Sequence, residues 1–230
     1  AQGSLDSLEV LSQFLKQTQS GRAQFTQVVS APAKADQAPR RKTSSGNFEF
    51  QRPQQFRFAY QKPFVQTMVS DGQLLWLYDA DLNQVTVRKQ SQLLGQTPAA
   101  FIASSGDLKT LQAEFSLKAE PDAEGLQWVK ATPKQSDGAL QSIRVGLKSL
   151  QGAGTPPVLT VLEIVDGLGQ RLVVPFHDPQ VDTSAHWLPL DMLNHIKDSG
   201  ESVQKYVERV KNKEDGVRLM GFGHRVYKSF

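Results

Sequence analysis

The 230-residue chain contains no cysteine, which removes disulfides, thiolate nucleophiles and zinc–thiolate sites together and fits any compartment. No apolar run approaches the roughly 20 residues a membrane-spanning helix needs. A dominant charge of one sign is also missing. The 26 basic and 23 acidic residues are scattered without long runs, so no nucleic-acid partner is expected. Arg40, Arg41 and Lys42, beside AKADQAP, form the one basic cluster and read as a solvated loop. Histidine is scarce: His177 and His186 are the only two in the first 187 residues. No G-x-S-x-G, H-E-x-x-H or phosphate-cradling loop occurs. Asp79 and Asp81 flank a turn signal and read as turn formers, not as an acid/base pair. The sequence therefore suggests no reaction, cofactor or metal. It begins with alanine, as a chain does after signal-peptide removal or trimming, so export is permitted without being shown.

What is present is a 39% hydrophobic composition, enough for a substantial core, arranged mostly with the period of strands. Ser4 to Lys16 is the exception, because Leu5, Leu8, Leu11 and Leu15, joined by Phe14, form one helical stripe. After Ser20-Gly21 the period shortens, with Ala23, Phe25 and Gln27 on one side. A polar, proline-containing loop is predicted from Ala31 to Ser45. From Gly46 to Lys89 the aromatics alternate: Phe48 and Phe50, then Phe56, Phe58 and Tyr60, then Trp76 and Tyr78. Arg52-Pro53, Lys62-Pro63, Ser70-Asp71-Gly72 and Asp79-Ala80-Asp81 divide them. Both sides of the Trp76 strand are apolar, so it is predicted to be covered on both faces. Thr97-Pro98 opens a short helix ending at Gly106, with Leu93, Leu94, Phe101 and Ile102 as its apolar face. Strands resume with EFSLKAE, LQWVKATP, LQSIRVGLK, VLTVLEIVD and RLVVPFHDP, separated by turns at Pro121-Asp122, Asp137-Gly138 and Asp166-Gly167. The sum to about Val181 is one long antiparallel sheet with two or three helices against it.

Two features could carry function, each with a plainer alternative. The aromatic sheet is either half-buried against the first helix or under-filled on its concave face. The second arrangement would accept acyl chains at about 0.8 kcal/mol per buried methylene. Arg52 is either an ordinary surface arginine or an inward guanidinium bonded to backbone carbonyls or ligand at the mouth of such a cavity.

A family resemblance joins these features. Phe25 to Gln27 (FTQ), Gly46 to Pro53 in the pattern G-x-F-x-F-x-R-P with Phe56, the hairpin VSDGQLLWLYDADLNQVTV and TPAAFIA resemble, in that order, the LolA lipoprotein carriers over about residues 5–186. The resemblance implies a mainly β fold with helices: an incomplete antiparallel β-barrel covered by a helical lid, whose apolar interior takes lipoprotein acyl chains. It implies a periplasmic monomer without enzymatic activity. Its partners would be acylated lipoproteins, an inner-membrane lipoprotein-releasing ABC transporter and an outer-membrane lipoprotein receptor. Arg52 would hold the lid by hydrogen bonds, and the cavity and lid would be formed by Phe48, Phe50, Phe56, Phe58, Tyr60, Met68, Trp76, Tyr78, Phe101 and Ile102. The alternative is a protein-interaction β module with a packed core.

The end of the chain differs in texture. Charged residues are 14 of the last 43 against 35 of the first 187, and Leu190, Leu193, Ile196 and then Val203, Val207 and Val210 recur at helical spacing. A boundary is placed at about Trp187, with 1–187 as the carrier domain and 188–230 as a short helical extension that is not an independent domain. The family's phenylalanine-rich last strand is absent, so weaker delivery or an exposed sheet edge is expected. Leu190 to Phe230, with the string M-G-F-G-H-R-V-Y-K, resembles an internal piece of citrate synthase, in which the histidine matching His224 would bind oxaloacetate. The second histidine, the catalytic aspartate and the downstream arginine of that family are missing. A condensation needs acid, base and substrate clamps held together, so no citrate-synthase activity is expected of this fragment.

Overall fold

The computed structural model describes residues 6–32, 40–82, 84–89, 102–103, 106–135, 139–150, 154–182 and 205. Helix α1 (Ser7–Gln17) buries Val10, Leu11, Phe14 and Leu15, a stripe set by 3.6-residue spacing. Leu8 is only partly buried, and Leu5 lies outside the described residues.

Two groups of strands follow. The first comprises β1 (Ser20–Ser30), β2 (Arg41–Gln51), β3 (Gln55–Lys62), β4 (Gln66–Asp71), β5 (Leu74–Asp79) and β6 (Gln84–Lys89). Helix α2 (Leu108–Glu114) intervenes. The second group comprises β7 (Phe115–Ala123), β8 (Leu126–Pro133), β9 (Leu140–Lys148), β10 (Val158–Asp166) and β11 (Arg171–Asp182). All join one sheet in the order β6-β5-β4-β3-β2-β1-β11-β10-β9-β8-β7, and every pairing is antiparallel. Strand β11 lies between β1 and β10, so the sheet closes its two runs at the centre. Its edges among the described residues are β6 and β7. Lys118 and Pro121 with a local irregularity between Glu120 and Ala123 blunt the β7 edge.

The sheet is strongly curved. Helix α1 packs on β7 and β8, yet its Phe14 meets Phe50 of β2 with ring centroids 6.3 Å apart. Strands β2 and β8 are five places apart in the sheet, about 24 Å in a flat sheet at about 4.8 Å per strand. A helix about 10 Å wide can touch both only if the sheet wraps around it. The expectation of an incomplete antiparallel barrel is met; most of the Thr97–Gly106 lid helix, and the 188–230 extension apart from residue 205, lie outside the described residues.

Turn chemistry follows the sequence. Asp71 Oδ1 accepts from the backbone N–H groups of Gln73 and Leu74 at 2.7 and 2.8 Å. Asp79 Oδ1 accepts from those of Asp81 and Leu82, both at 3.1 Å, and so forms a turn as read. Two local expectations are corrected and one helix is added. Arg41 to Ser45 are strand, because β1 continues to Ser30 and pairs with them in full register; pairing overrides their weak strand propensity. The turn expected at Pro121-Asp122 falls at Glu124-Gly125, both at positive φ. Helix α2 was not read from the sequence, although Asp107 caps it by accepting from the backbone N–H of Thr110 at 2.7 Å.

Candidate functional site

The register decides which aromatics share a face. Phe50 stands opposite Gly21 and Phe56, and Phe48 opposite Ala23 and Phe58. Phe58 in turn faces Met68. With Phe25 of β1 and Phe176 of β11 they form one concave-face cluster. Phe25 and Phe58 have ring centroids 4.3 Å apart, Phe48 and Phe58 4.8 Å, and Phe48 and Phe176 5.6 Å. Phe48, Phe50, Phe56 and Phe58 are buried, with Tyr60 and Met68 partly buried against them. Ile102 is buried in the same cluster, whereas Phe101 lies outside the described residues.

Trp76 and Tyr78 do not belong to this group. Strand β5 puts Leu75 and Leu77 in line with Ser70 and Met68, so Trp76 and Tyr78 point to the opposite side, beside Val69 and Thr67. The period of two forces the separation: these strands are apolar on both sides, so composition alone does not show which residue faces inward. Both rings are nevertheless buried, as are Leu75 and Val69, so the prediction of a strand covered on both faces holds.

Arg52 is not at the surface. Its side chain is 6% exposed, in the turn between β2 and β3. Nε donates to the Thr18 carbonyl at 2.8 Å, and Nη1 donates to the Ile102 carbonyl at 2.6 Å. Thr18 caps the C-terminus of α1, where carbonyls lack intrahelical donors and the helix dipole favours a cation. The guanidinium also lies 5.2 Å from the ring centroids of both Phe14 and Phe50. Backbone bonds run alongside: Arg52 N–H to Gln19 O at 2.8 Å and Gln54 N–H to Ala103 O at 2.6 Å. One side chain thus ties together the β2–β3 turn, the end of α1 and the Ile102 segment. Loss of hydration pushes its pKa down to about 10, so it remains charged at neutral pH although its burial is costly.

At the other end of the cluster Tyr60 Oη donates to Gln27 Oε1 at 2.8 Å, and burial pushes the phenol up to about 12. Beyond this pair a wide, open recess of about 440 Å³ lies between Tyr60, Phe64 and Leu82. Inside the cluster there is far less room. A recess beside Phe14, Phe50 and Phe176 has about 20 Å³ of open volume, about one water. Among the described residues the rings and Phe14 of α1 occupy the space around this recess themselves, as the packed alternative expects there. Sequence reading had placed Phe14 and Phe25 in the right elements without assigning them to the cluster, and it missed Phe176 and Gly21. The alternation V-V-P-F in β11 and the single glycine opposite Phe50 were the available signals.

Residues 16–185 match the family described as outer membrane lipoprotein carrier protein LolA, and residues 184–230 match the C-terminal domain of citrate synthase. The chain is 60% identical over 174 residues to an outer-membrane lipoprotein carrier protein of Albidiferax ferrireducens, covering 76% of this chain and 79% of that one. It is 43% identical over 198 residues to the protein of the same name from Methylibium petroleiphilum, covering 86% and 89%. Among solved structures, a DUF1329 family protein from Desulfovibrio piger superposes with a TM-score of 0.50 at 11% identity over 83% of this chain and 95% of that one, a likeness of fold alone.

Proposed function

This chain belongs to the LolA family of outer-membrane lipoprotein carriers, and on that premise we propose that it shelters lipoprotein acyl chains between α1 and the aromatic face of β1–β3, with Arg52 latching the empty form. The observation that carries this reading is the buried guanidinium bonded to carbonyls of two separate segments, Thr18 and Ile102. Pure packing does not call for a charge there, since an apolar side chain of similar volume is often as stabilising as a buried ionic group. A latch has use for it, because hydrogen bonds to two segments break together when they part. Exposed hydrocarbon in water is costly, so cargo entering the cleft repays the separation of α1 from the rings.

In this reading the chain works in the periplasm as a monomer and without a catalytic step. It receives acylated lipoproteins from an inner-membrane lipoprotein-releasing ABC transporter and passes them to an outer-membrane lipoprotein receptor. Phe48, Phe50, Phe56, Phe58, Tyr60, Met68 and Ile102 line the opened site. Trp76 and Tyr78 are left out of it on the ground of register. The carrier unit ends near residue 187, and 188–230 is an appended segment without the activity of the family it resembles, a division supported by the two family matches meeting at 184–185.

The test is acyl binding by the purified chain. It is expected to co-isolate with a triacylated lipoprotein and to take up a fluorescent fatty acid that the lipoprotein displaces. The small internal recess favours one competing reading, an interaction module with a permanently packed core. Absence of acyl binding under any condition would decide for that module.

A further inference from the structure

Gly21 is a residue of the aromatic face whose lack of a side chain is filled by another side chain. It stands directly opposite Phe50 across the β1–β2 ladder. A Cβ at Gly21 would lie 2.6 Å from Phe50 Cε1 and 3.1 Å from Cζ, while the nearest backbone atom, Gln180 O, is an ordinary 3.4 Å away. The ring of Phe50 therefore lies over the bare backbone of Gly21, and it is the ring, not the sheet, that fills this position.

What holds the ring there is not the sheet alone. Phe48 stacks on it at 5.8 Å and 19° from the same strand. The ring also meets Phe14 of α1 at 6.3 Å and the Arg52 guanidinium at 5.2 Å, while Phe56 stands opposite it on β3. Phe14 and Arg52 both belong to the latch. When Arg52 releases Thr18 and α1 withdraws Phe14, the ring loses these two neighbours together, which removes contacts that hold its present rotamer on the side of α1. The small recess already opens at this point, over Gly21 and Ala23, against Leu159 and Phe176, and its lining is almost wholly hydrocarbon.

We propose that the Phe50 ring occupies, in the closed form, the seat of one saturated acyl chain, with the Gly21–Ala23 backbone as the floor of that seat and the ring's departure coupled to release of Arg52. This rests on the carrier reading and adds to it where the chain lies and which residue must leave. Phe50 is then a competitor of the cargo, which makes holding reversible: the ring returns to the seat as the chain leaves. The plainer alternative is that Gly21 and Phe50 are only a cross-strand packing pair, in which a ring covers a glycine.

The two differ in how binding responds to substitution. Binding of a fluorescent saturated fatty acid and of a synthetic triacylated lipopeptide is to be measured for the wild type, Phe50→Leu, Phe50→Ala and the double variant Phe50→Ala/Gly21→Val. The smaller Phe50→Leu change keeps the test usable if Phe50→Ala folds poorly, and thermal melting reports folding for each. Removing the competing ring is expected to tighten binding about tenfold. Refilling the floor with valine, for which the ring no longer stands in the way, should return affinity to the wild-type level or below. A tightening with the lipopeptide alone assigns the seat to the cargo's own chains, and with both ligands to any saturated chain. Wild-type binding that folded Phe50 variants leave unchanged or weaken overturns the proposal while sparing the carrier reading, as does a double variant that binds as tightly as Phe50→Ala. If no variant, wild type included, binds either ligand, the carrier reading falls and the proposal with it.

Discussion

Replacing Arg52 by leucine tests the latch, and its size can be worked from the contacts. Among the described residues, the substitution removes hydrogen bonds from a charged donor to the Thr18 and Ile102 carbonyls, at 2.8 and 2.6 Å, each contributing about 1.5–3 kcal/mol. It also removes the approach to the Phe14 and Phe50 rings. Against this, the guanidinium's pKa is pushed down to about 10 by desolvation, an opposing effect of roughly 3 kcal/mol that leucine does not suffer. The closed form should therefore lose at most about 3 kcal/mol, which leaves the sheet folded but moves the open–closed balance by up to about 150-fold. Because closure competes with cargo, apparent affinity for acyl chains should rise by up to that factor. The expected phenotype is asymmetric: loading as good as wild type or better, and handover to the receptor slowed. Lysine at this position keeps the charge but not the planar fork that reaches two carbonyls, so Arg52→Lys should fall between. The assay follows transfer of a labelled lipoprotein from the loaded carrier to receptor-bearing membranes. If Arg52→Leu loads and delivers at wild-type rates, Arg52 is not a latch, whatever its hydrogen bonds.

Other outcomes follow from single contacts. Phe56 is fully buried, so Phe56→Ala should cost about 3–5 kcal/mol in denaturant unfolding. Trp76 sits on the opposite face from the cluster, so Trp76→Phe should leave acyl affinity within a factor of two while Phe48→Ala does not; equal effects would contradict the register. A methyl group at Gly46 would collide with the Ala59 carbonyl oxygen, which is backbone and cannot swing away; Gly46→Ala should lower stability toward the upper part of the 1–3 kcal/mol typical of overpacking, read from the melting temperature. The Tyr60 phenol, raised to about 12 by burial, stays neutral in the fold where an unfolded tyrosine, with a pKa of about 10, would ionise. Its contribution to stability is complete below about pH 10 and is lost as pH rises toward 12. Phenolate absorbance should show late-ionising tyrosine, since burial and the neighbouring Asp79 also push Tyr78 up, and Tyr60→Phe should delete the contribution near pH 12.

Much of this architecture was legible in the chain because strand period and turn residues agree. LQSIRVGLK and VLTVLEIVD became β9 and β10 at the bounds their patterns set, and Asp71, Asp79 and Asp166 cap the turns they mark. What failed did so where local signal and pairing disagree. Arg41–Ser45 look like loop but are recruited by β1, and strand β5 is apolar on both sides, so alternation could not tell Leu75 from Trp76 as the inward residue. Arg52 was the least legible position from its own residues, since composition favours exposure and only the proximity of Thr18 and Ile102 explains its burial. Nor could periodicity reveal that Phe14 of α1 packs near Phe50, or that the Phe50 ring lies over a glycine 29 positions away.

The central claim is that the aromatic interior opens, with Arg52 released, to admit hydrocarbon. A crystal structure of the chain loaded with a triacylated lipopeptide tests it most directly. It should place an acyl chain between α1 and the face bearing Phe48, Phe50 and Phe58, with Arg52 withdrawn from the Ile102 carbonyl. A lipopeptide seated elsewhere on a molecule whose rings and Arg52 bonds are unchanged would contradict the account.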